Sequence, residues 1–210
     1  MAEIIRENHP QVVDIAVRLL HAGELVAYPT DTVYGLGAAA RNDEAVHRVF
    51  SAKGRPPSKA LPLLVSDGVM ATSVADIPPM GNQLMSAFWP GALTIVMRKT
   101  ASFFSLALAG GDTVALRTPA HSLVREMIRA LAQPITGTSA NRSGSRPPAS
   151  AAEIAFQMGD MVALVIDGGP AARGVESTVL DITDDAAPRI VREGVVSREE
   201  IEQVIGRKIG

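Results

Sequence analysis

Lys53, Arg55 and Lys59 place three cations within the seven residues Lys53-Gly54-Arg55-Pro56-Pro57-Ser58-Lys59, and two prolines stiffen the run. Such a cluster suits a triphosphate, because fixed positive charge neutralises what develops on phosphoryl oxygens during phosphoryl or nucleotidyl transfer. It also has an ordinary structural reading: cations near a helix C-terminus offset the helix dipole, and Gly54 ends the helix. Ser139-Ala140-Asn141-Arg142-Ser143-Gly144 gathers hydroxyl, amide and guanidinium groups without a carboxylate. It reads either as a turn, which Ser, Asn and Gly favour, or as a phosphate cradle of backbone and side-chain donors. Arg117 closes the apolar run Val114-Ala115-Leu116. That is a solvated rim position, or a place to hold a carboxylate with two parallel donors.

The run Tyr28-Pro29-Thr30-Asp31-Thr32-Val33-Tyr34-Gly35-Leu36-Gly37 carries more polar chemistry than a turn needs, and it follows the strand-like Leu25-Val26-Ala27. A strand end facing a polar ligand explains it. Gly35-Leu36-Gly37-Ala38-Ala39-Ala40 matches the loose dinucleotide pattern G-x-G-x-x-A. The next helix, however, starts near Asp43, too late for these glycines to open it, so a Rossmann reading fails. No G-x-x-x-x-G-K-[ST] loop exists, so an ATP site here is not a P-loop. Cysteine is absent, which excludes thiolate zinc and a cysteine nucleophile, and His9, His21, His47 and His121 are scattered.

Positioning these groups falls to alternating elements. Helices are predicted over 10–21, 43–52, 67–75, 79–88, 122–131, 151–158 and from Ser197, whose pairing with Glu200 forms a capping box, to about Ile205. Pro10 fits a first helical position. Strands are predicted over 25–28, 61–65, 93–97, 113–116, 135–138, 162–166, 177–182 and 189–191. Alternation gives an α/β fold. The β-β connections near the C-terminus make its twisted sheet mixed, parallel and antiparallel, with flanking helices. The loops after strands then supply Thr30, Arg117, Ser139, Ser177 and Arg192 to one crevice.

The 210 residues suit a single domain, 1–210. Hydrophobic residues make up 47% and aromatics 4%, so the core is aliphatic. The formal net charge of -2 argues against a chain bound mainly to nucleic acid. No apolar run reaches a membrane span, and Met1-Ala2-Glu3-Ile4 lacks a signal pattern. A cytoplasmic setting is expected.

Taken in order, these segments resemble the YrdC-like family, the threonylcarbamoyl-AMP synthases. The resemblance rests on Tyr28 to Gly37, Lys53-Gly54-Arg55-Pro56, Trp89-Pro90-Gly91-Ala92-Leu93-Thr94, Val114-Ala115-Leu116-Arg117-Thr118-Pro119, Ser139 to Gly144, Asp167-Gly168-Gly169 and Glu176-Ser177-Thr178-Val179. Each piece is weak alone; together, in family order, they are specific. The resemblance implies a YrdC-like fold and the conversion of L-threonine, bicarbonate and ATP to threonylcarbamoyl-AMP and pyrophosphate. It implies Lys53 and Arg55 as catalytic residues facing the phosphates and the carbamate. ATP contacts would be Lys53, Pro57, Thr113, Ser139, Asn141, Pro147 and Arg192, with Mg²⁺ near Ser139 and Asn141. L-threonine would meet Thr30, Arg117, Gly137 and Ser177, with Arg117 on its carboxylate. The implied partners are threonylcarbamoyl-transferase proteins acting on tRNA, and a contact of this chain with tRNA itself is left open. Many relatives carry a histidine after the strand that follows the basic loop; here the position reads as Ser66. The chain ends at Gly210, soon after its last helix, and resembles the short, single-domain form. A non-catalytic RNA-binding or ribosome-assembly module of the same fold, and a carbamoyl-adenylating module, are the competing readings. Scarce aromatics disfavour the first, and the lack of cysteine disfavours the hydrogenase-maturation form of the second.

Overall fold

The computed structural model describes residues 2–210; Met1, the first residue of the expected domain range, lies outside them. In chain order the elements are β1 (Glu3–Arg6), α1 (Val12–His21), β2 (Val26–Tyr28), β3 (Gly35–Gly37), α2 (Asp43–Lys53), β4 (Leu63–Leu64), α3 (Gly68–Thr72), α4 (Pro79–Phe88), β5 (Leu93–Arg98) and β6 (Thr113–Arg117). Then follow α5 (Ser122–Leu131), β7 (Ile135–Thr136), β8 (Thr138–Ser139), α6 (Ala151–Met158), β9 (Leu164–Asp167), β10 (Thr178–Asp181), β11 (Arg189–Arg192) and α7 (Arg198–Ile205). Two short 3₁₀ turns, Leu106–Leu108 and Gly159–Met161, complete the set. No helix among the described residues is long and apolar enough to cross a membrane.

The fold is mixed α/β, as expected, but its strands form two sheets. One runs β1-β9-β2-β3-β8 and the other β11-β10-β5-β6-β4-β7, and each contains parallel and antiparallel pairs. The segment predicted as one strand over 135–138 is where they part. Ile135–Thr136 pairs with β4 in the second sheet, and Thr138–Ser139 pairs with β3 in the first. Gly137 makes the crossing tight: an added Cβ would sit 2.8 Å from the Leu64 side chain.

Alternation builds the core around the first sheet. Val26, Tyr28, Leu164 and Ile166 point to one face and pack with Val12, Ala16, Leu20, Val124 and Met127 of α1 and α5. Ala27 and Val165 point to the other and join the larger core that includes Leu36, Phe50 and Leu63. The strands are therefore buried on both faces and read as apolar runs.

Helix ends follow local chemistry. The Ser197–Glu200 capping box forms as predicted. Asn42 caps α2, and Gly54, at φ 58°, closes it in the left-handed conformation. Pro10 does not open α1; it lies in a turn, and the helix begins two residues later, at Val12.

Gly35 and Gly37 are strand residues, and their role is space. β3 pairs antiparallel with β2, and the Tyr28 ring lies across it. A Cβ on Gly35 would stand 2.5 Å from Tyr28 Cε2, and one on Gly37 2.6 Å from Cε1. Tyr28 is fully buried, with its hydroxyl donating to the Thr136 carbonyl at 2.7 Å. Burial pushes the phenol pKa well above its usual range. The G-x-G spacing is thus a slot for an aromatic ring. Gly35→Ala should destabilise the protein by about 1–3 kcal/mol through overpacking, read as a lower urea midpoint at unchanged m-value.

Candidate active site

A cavity of 810 Å³ lies over one face of the second sheet. Thr113, Ala115 and Arg117 alternate along β6 and share its floor with Thr94 and Val96 of β5 and Val179 of β10. The α2 C-terminus with the basic loop forms one wall, and residues 137–147 form another. A narrow recess of 30 Å³ adjoins it, lined by Thr30, Thr32 and Gly35 together with the shared Leu64, Arg117, Gly137, Ser139, Glu176, Ser177 and Arg192. The site spreads over a sheet face as well as strand ends. Arg117, Ser139 and Arg192 are the last residues of β6, β8 and β11, while Ser177 immediately precedes β10.

Lys53 is buried, and its ammonium donates to the carbonyls of Ser139 at 2.5 Å and Asn141 at 2.7 Å. The Ser143 N–H donates to the Lys53 carbonyl at 2.8 Å. Lys53 thus straps residues 139–143 to the end of α2. Burial, and next the Arg55 charge, lower its pKa from 10.5 to about 8, against an opposing pull from Glu176. Arg55 donates from Nε to the Lys59 carbonyl at 2.9 Å and from Nη2 to the Ala60 carbonyl at 2.7 Å. Those bonds curl the basic loop around its guanidinium, and Arg55 also lines the cavity. Burial lowers its pKa as well, but a guanidinium stays charged at neutral pH.

Asn141 is buried and donates from Nδ2 to the carbonyls of Arg142 at 3.0 Å and Ser145 at 2.5 Å. Its Oδ1 has no hydrogen-bond partner among the described residues. An orphaned amide oxygen on a residue lining a nucleotide-sized cavity is the hard oxygen ligand that Mg²⁺ accepts, and Ser139 lines the same wall. Among the described residues no group of three or more His, Cys, Asp or Glu side chains could hold a metal unaided. The donor set fits an ion that arrives with phosphates and keeps most of its water.

Arg117 is buried, and the protein already engages its guanidinium. Nε donates to the Gly91 carbonyl at 2.7 Å, Nη1 to Thr32 Oγ1 at 2.9 Å and Nη2 to Asp31 Oδ1 at 2.6 Å. Burial lowers its pKa, and Asp31 opposes that shift. Thr30 Oγ1 donates to the Val33 carbonyl at 2.7 Å and accepts the Thr32 N–H at 3.1 Å, a local turn that shapes the recess. Ser177 Oγ lies 2.8 Å from Thr94 Oγ1 and accepts from Arg192 Nη2 at 3.2 Å. Arg192 also pairs with Glu176 at 2.7 Å.

Most of the expected residues gather here. Lys53, Arg55, Thr113, Ser139, Asn141, Pro147 and Arg192 line the large cavity, and Thr30, Arg117, Gly137 and Ser177 line the recess. Pro57 does not join them: it is exposed, and Pro56 lines the wall instead. Ser66 also lies elsewhere, with its hydroxyl on Asp67 Oδ2 at 3.0 Å. The residue of that stretch reaching both cavities is Leu64, two positions earlier on β4. Sequence reasoning missed Asp31, Thr32, Thr94 and Glu176 as site residues. Each stands beside or within a quoted motif, but the partner that gives it a role lies far along the chain, as with Arg117 and Asp31, 86 residues apart.

The Sua5/YciO/YrdC family model, described as "Telomere recombination", matches residues 18–194. Threonylcarbamoyl-AMP synthase of Bacillus subtilis (strain 168) is 42% identical over 95% of this chain and 58% of the relative. The enzyme of the same name from Pyrococcus abyssi is 42% identical over 91% of this chain and 56% of the relative. The chain therefore spans little more than half the length of these relatives. Among solved structures, P. abyssi Sua5 complexed with L-threonine superposes with a TM-score of 0.92 at 39% identity, covering 100% of this chain and 62% of that one. E. coli YciO superposes at 0.86 and 26% identity, over 96% of this chain and 100% of that one. A family model that runs across both cavities, from α1 to the residues after β11, joins this geometry to that of the relatives: the chain belongs to the Sua5/YciO/YrdC family.

Proposed function

We propose that this chain forms threonylcarbamoyl-AMP and pyrophosphate from L-threonine, bicarbonate and ATP, in the cytoplasm. The observation that carries the reading is the pairing of two adjoining spaces. A nucleotide-sized cavity walled by Lys53, Arg55 and the 139–147 loop opens onto a recess lined by Arg117, Gly137 and Ser177. The 810 Å³ cavity has room for a nucleoside triphosphate and a small amino acid together, the amino acid against the wall shared with the recess. Two relatives carry this activity as their name, and one structural relative was solved with L-threonine.

The chemistry needs no protein nucleophile. The threonine amine and bicarbonate give a carbamate and water. A carbamate oxygen then attacks the α-phosphorus of ATP, and pyrophosphate leaves. What the protein supplies is position and charge. Protonated Lys53 places a cation on the wall of the large cavity and fixes the loop that carries Ser139 and Asn141. Arg55 and Arg192 add charge on either side of the cavity. Asn141 Oδ1 and Ser139 would hold Mg²⁺ delivered with ATP, and the ion would neutralise phosphate charge. In the recess, Arg117 and Ser177 would orient the amino acid, with Thr30 shaping the wall. The product would pass to threonylcarbamoyl-transferase proteins acting on tRNA.

Pyrophosphate release from ATP should require threonine and bicarbonate together. Turnover that ignores threonine but needs carbamoyl phosphate would establish carbamoyl adenylation instead. No turnover, with RNA binding of steep salt dependence, would establish an RNA-binding module.

A further inference from the structure

A second pocket, of 490 Å³, shares no lining residue with the cavities above. It lies beyond the ends of β4 and β6, between Ser66, Asp67 and Thr118, the Trp89-Pro90 corner, and Arg125 and Arg129 of α5. We propose that it binds a nucleoside phosphate, with the phosphate on Arg125 and Arg129 and the base against Trp89.

The two arginines are the first reason. They stand four residues apart on α5, so their side chains are neighbours on one face, and like charges so placed repel. Arg125 makes no side-chain hydrogen bond or ion pair among the described residues. Arg129 reaches a carboxylate only at 3.9 Å, on Asp67. That carboxylate is already committed: Oδ1 accepts the Met70 N–H at 2.9 Å and Oδ2 the Ser66 hydroxyl. Two guanidinium groups and one carboxylate leave the pocket with a net positive charge. A phosphate would relieve the repulsion and meet forked donors that match its geometry.

Trp89 is the second reason. It is the chain's one tryptophan, in a protein with 4% aromatic residues. Its indole N–H donates to the Leu93 carbonyl at 2.7 Å, which fixes the ring while leaving it partly exposed on the pocket wall. A fixed aromatic face beside paired arginines is the arrangement on which bases stack. The exposed Ser86 hydroxyl adds a polar group at the rim, and Thr118 Oγ1 lies buried without a partner among the described residues. The volume lies within the range of about 300–1,000 Å³ usual for small-molecule sites.

Because Trp89 is alone of its kind and lies in this pocket, its fluorescence reports the site directly. Titration with AMP should change it saturably, and inorganic phosphate should compete. The Arg125→Ala/Arg129→Ala protein should bind AMP at least about tenfold more weakly, with an unchanged urea midpoint and unchanged threonine-dependent pyrophosphate release. The lysine-bearing double variant, Arg125→Lys/Arg129→Lys, should fall between the two. No saturable change with AMP, or equal affinity in the alanine variant, would overturn the proposal. A short adenosine oligoribonucleotide distinguishes the source: tighter binding than AMP, falling with salt, identifies an RNA chain, and weaker binding identifies a free nucleotide. The outcome does not depend on the reaction proposed above, which is read separately by pyrophosphate release.

Discussion

Lys53→Ala will lower threonine-dependent pyrophosphate release by roughly two to three orders of magnitude, the usual cost of losing a charge partner of the transition state. Two losses combine in that variant. One is the cation on the wall of the large cavity. The other is the strap, since the Ser139 and Asn141 carbonyls both accept from Lys53 Nζ. Lys53→Met keeps the aliphatic stem and removes only the ammonium, so a matching loss there would assign the effect to charge and hydrogen bonding and not to packing. Near wild-type turnover in both variants would remove Lys53 from the machinery.

The pH dependence separates two roles for the same nitrogen. With its pKa lowered to about 8, Lys53 is cationic at pH 7 and neutral by pH 9. If the cation acts, kcat/KM should fall as pH rises through about 8, because that ratio reports the free enzyme. If the neutral amine acts as a base, kcat/KM should rise over the same interval. The charge role predicts the fall. Stability should move the other way. Between about 8 and the ordinary 10.5 the unfolded lysine still holds the proton that the folded one has lost. The unfolded state then binds more protons, and this group's contribution to stability rises with pH across that window. Activity falling while the urea midpoint rises, both absent in Lys53→Met, would be the signature of a buried cation kept for its charge.

How much of this was legible beforehand depended on the range of the interactions involved. The bounds of α4, α5 and α6 and the capping box of α7 follow from signals within a few residues, and the structure reproduces them. β1 carries only Glu3-Ile4-Ile5-Arg6, mostly exposed at a sheet edge, with no alternation to reveal it. β3 is Gly-Leu-Gly, a composition that argues against a strand, and it exists because Tyr28 needs two missing Cβ atoms beside it. The division into two sheets turns on Gly137, whose reason is Leu64, 73 positions away (137 less 64). The site behaved alike. Residue types and motif order brought Lys53, Arg55, Ser139, Asn141 and Arg117 to one place. Side-chain direction is not legible in a sequence, so Pro57 is expected at the cavity where the structure places Pro56.

Asp31→Ala should destabilise the protein by about 3–5 kcal/mol, the cost of leaving one member of a buried ion pair without its partner. Arg117 is 7% exposed and Asp31 19%, at 2.6 Å, so solvent can replace little of what is lost. Asp31 Oδ1 also accepts the Ala120 N–H at 2.9 Å, which ties the turn after β2 to the turn after β6. Asp31→Asn keeps an acceptor for both donors and removes only the charge, so its cost should be smaller. Removing both charges, in Asp31→Ala/Arg117→Met, should recover part of the loss, since no cation is then left buried unpaired. Function should not follow stability back. Of the five guanidinium donors, three are used by Gly91, Thr32 and Asp31, and the remaining N–H groups belong to a side chain lining the recess. The double variant should therefore fold well and still show a KM for threonine raised by an order of magnitude or more, as expected when a charged hydrogen-bond donor to a carboxylate is lost. A double variant with recovered stability and an unchanged threonine KM would make Arg117 a purely structural strut and leave Ser177 and its neighbours to bind the amino acid.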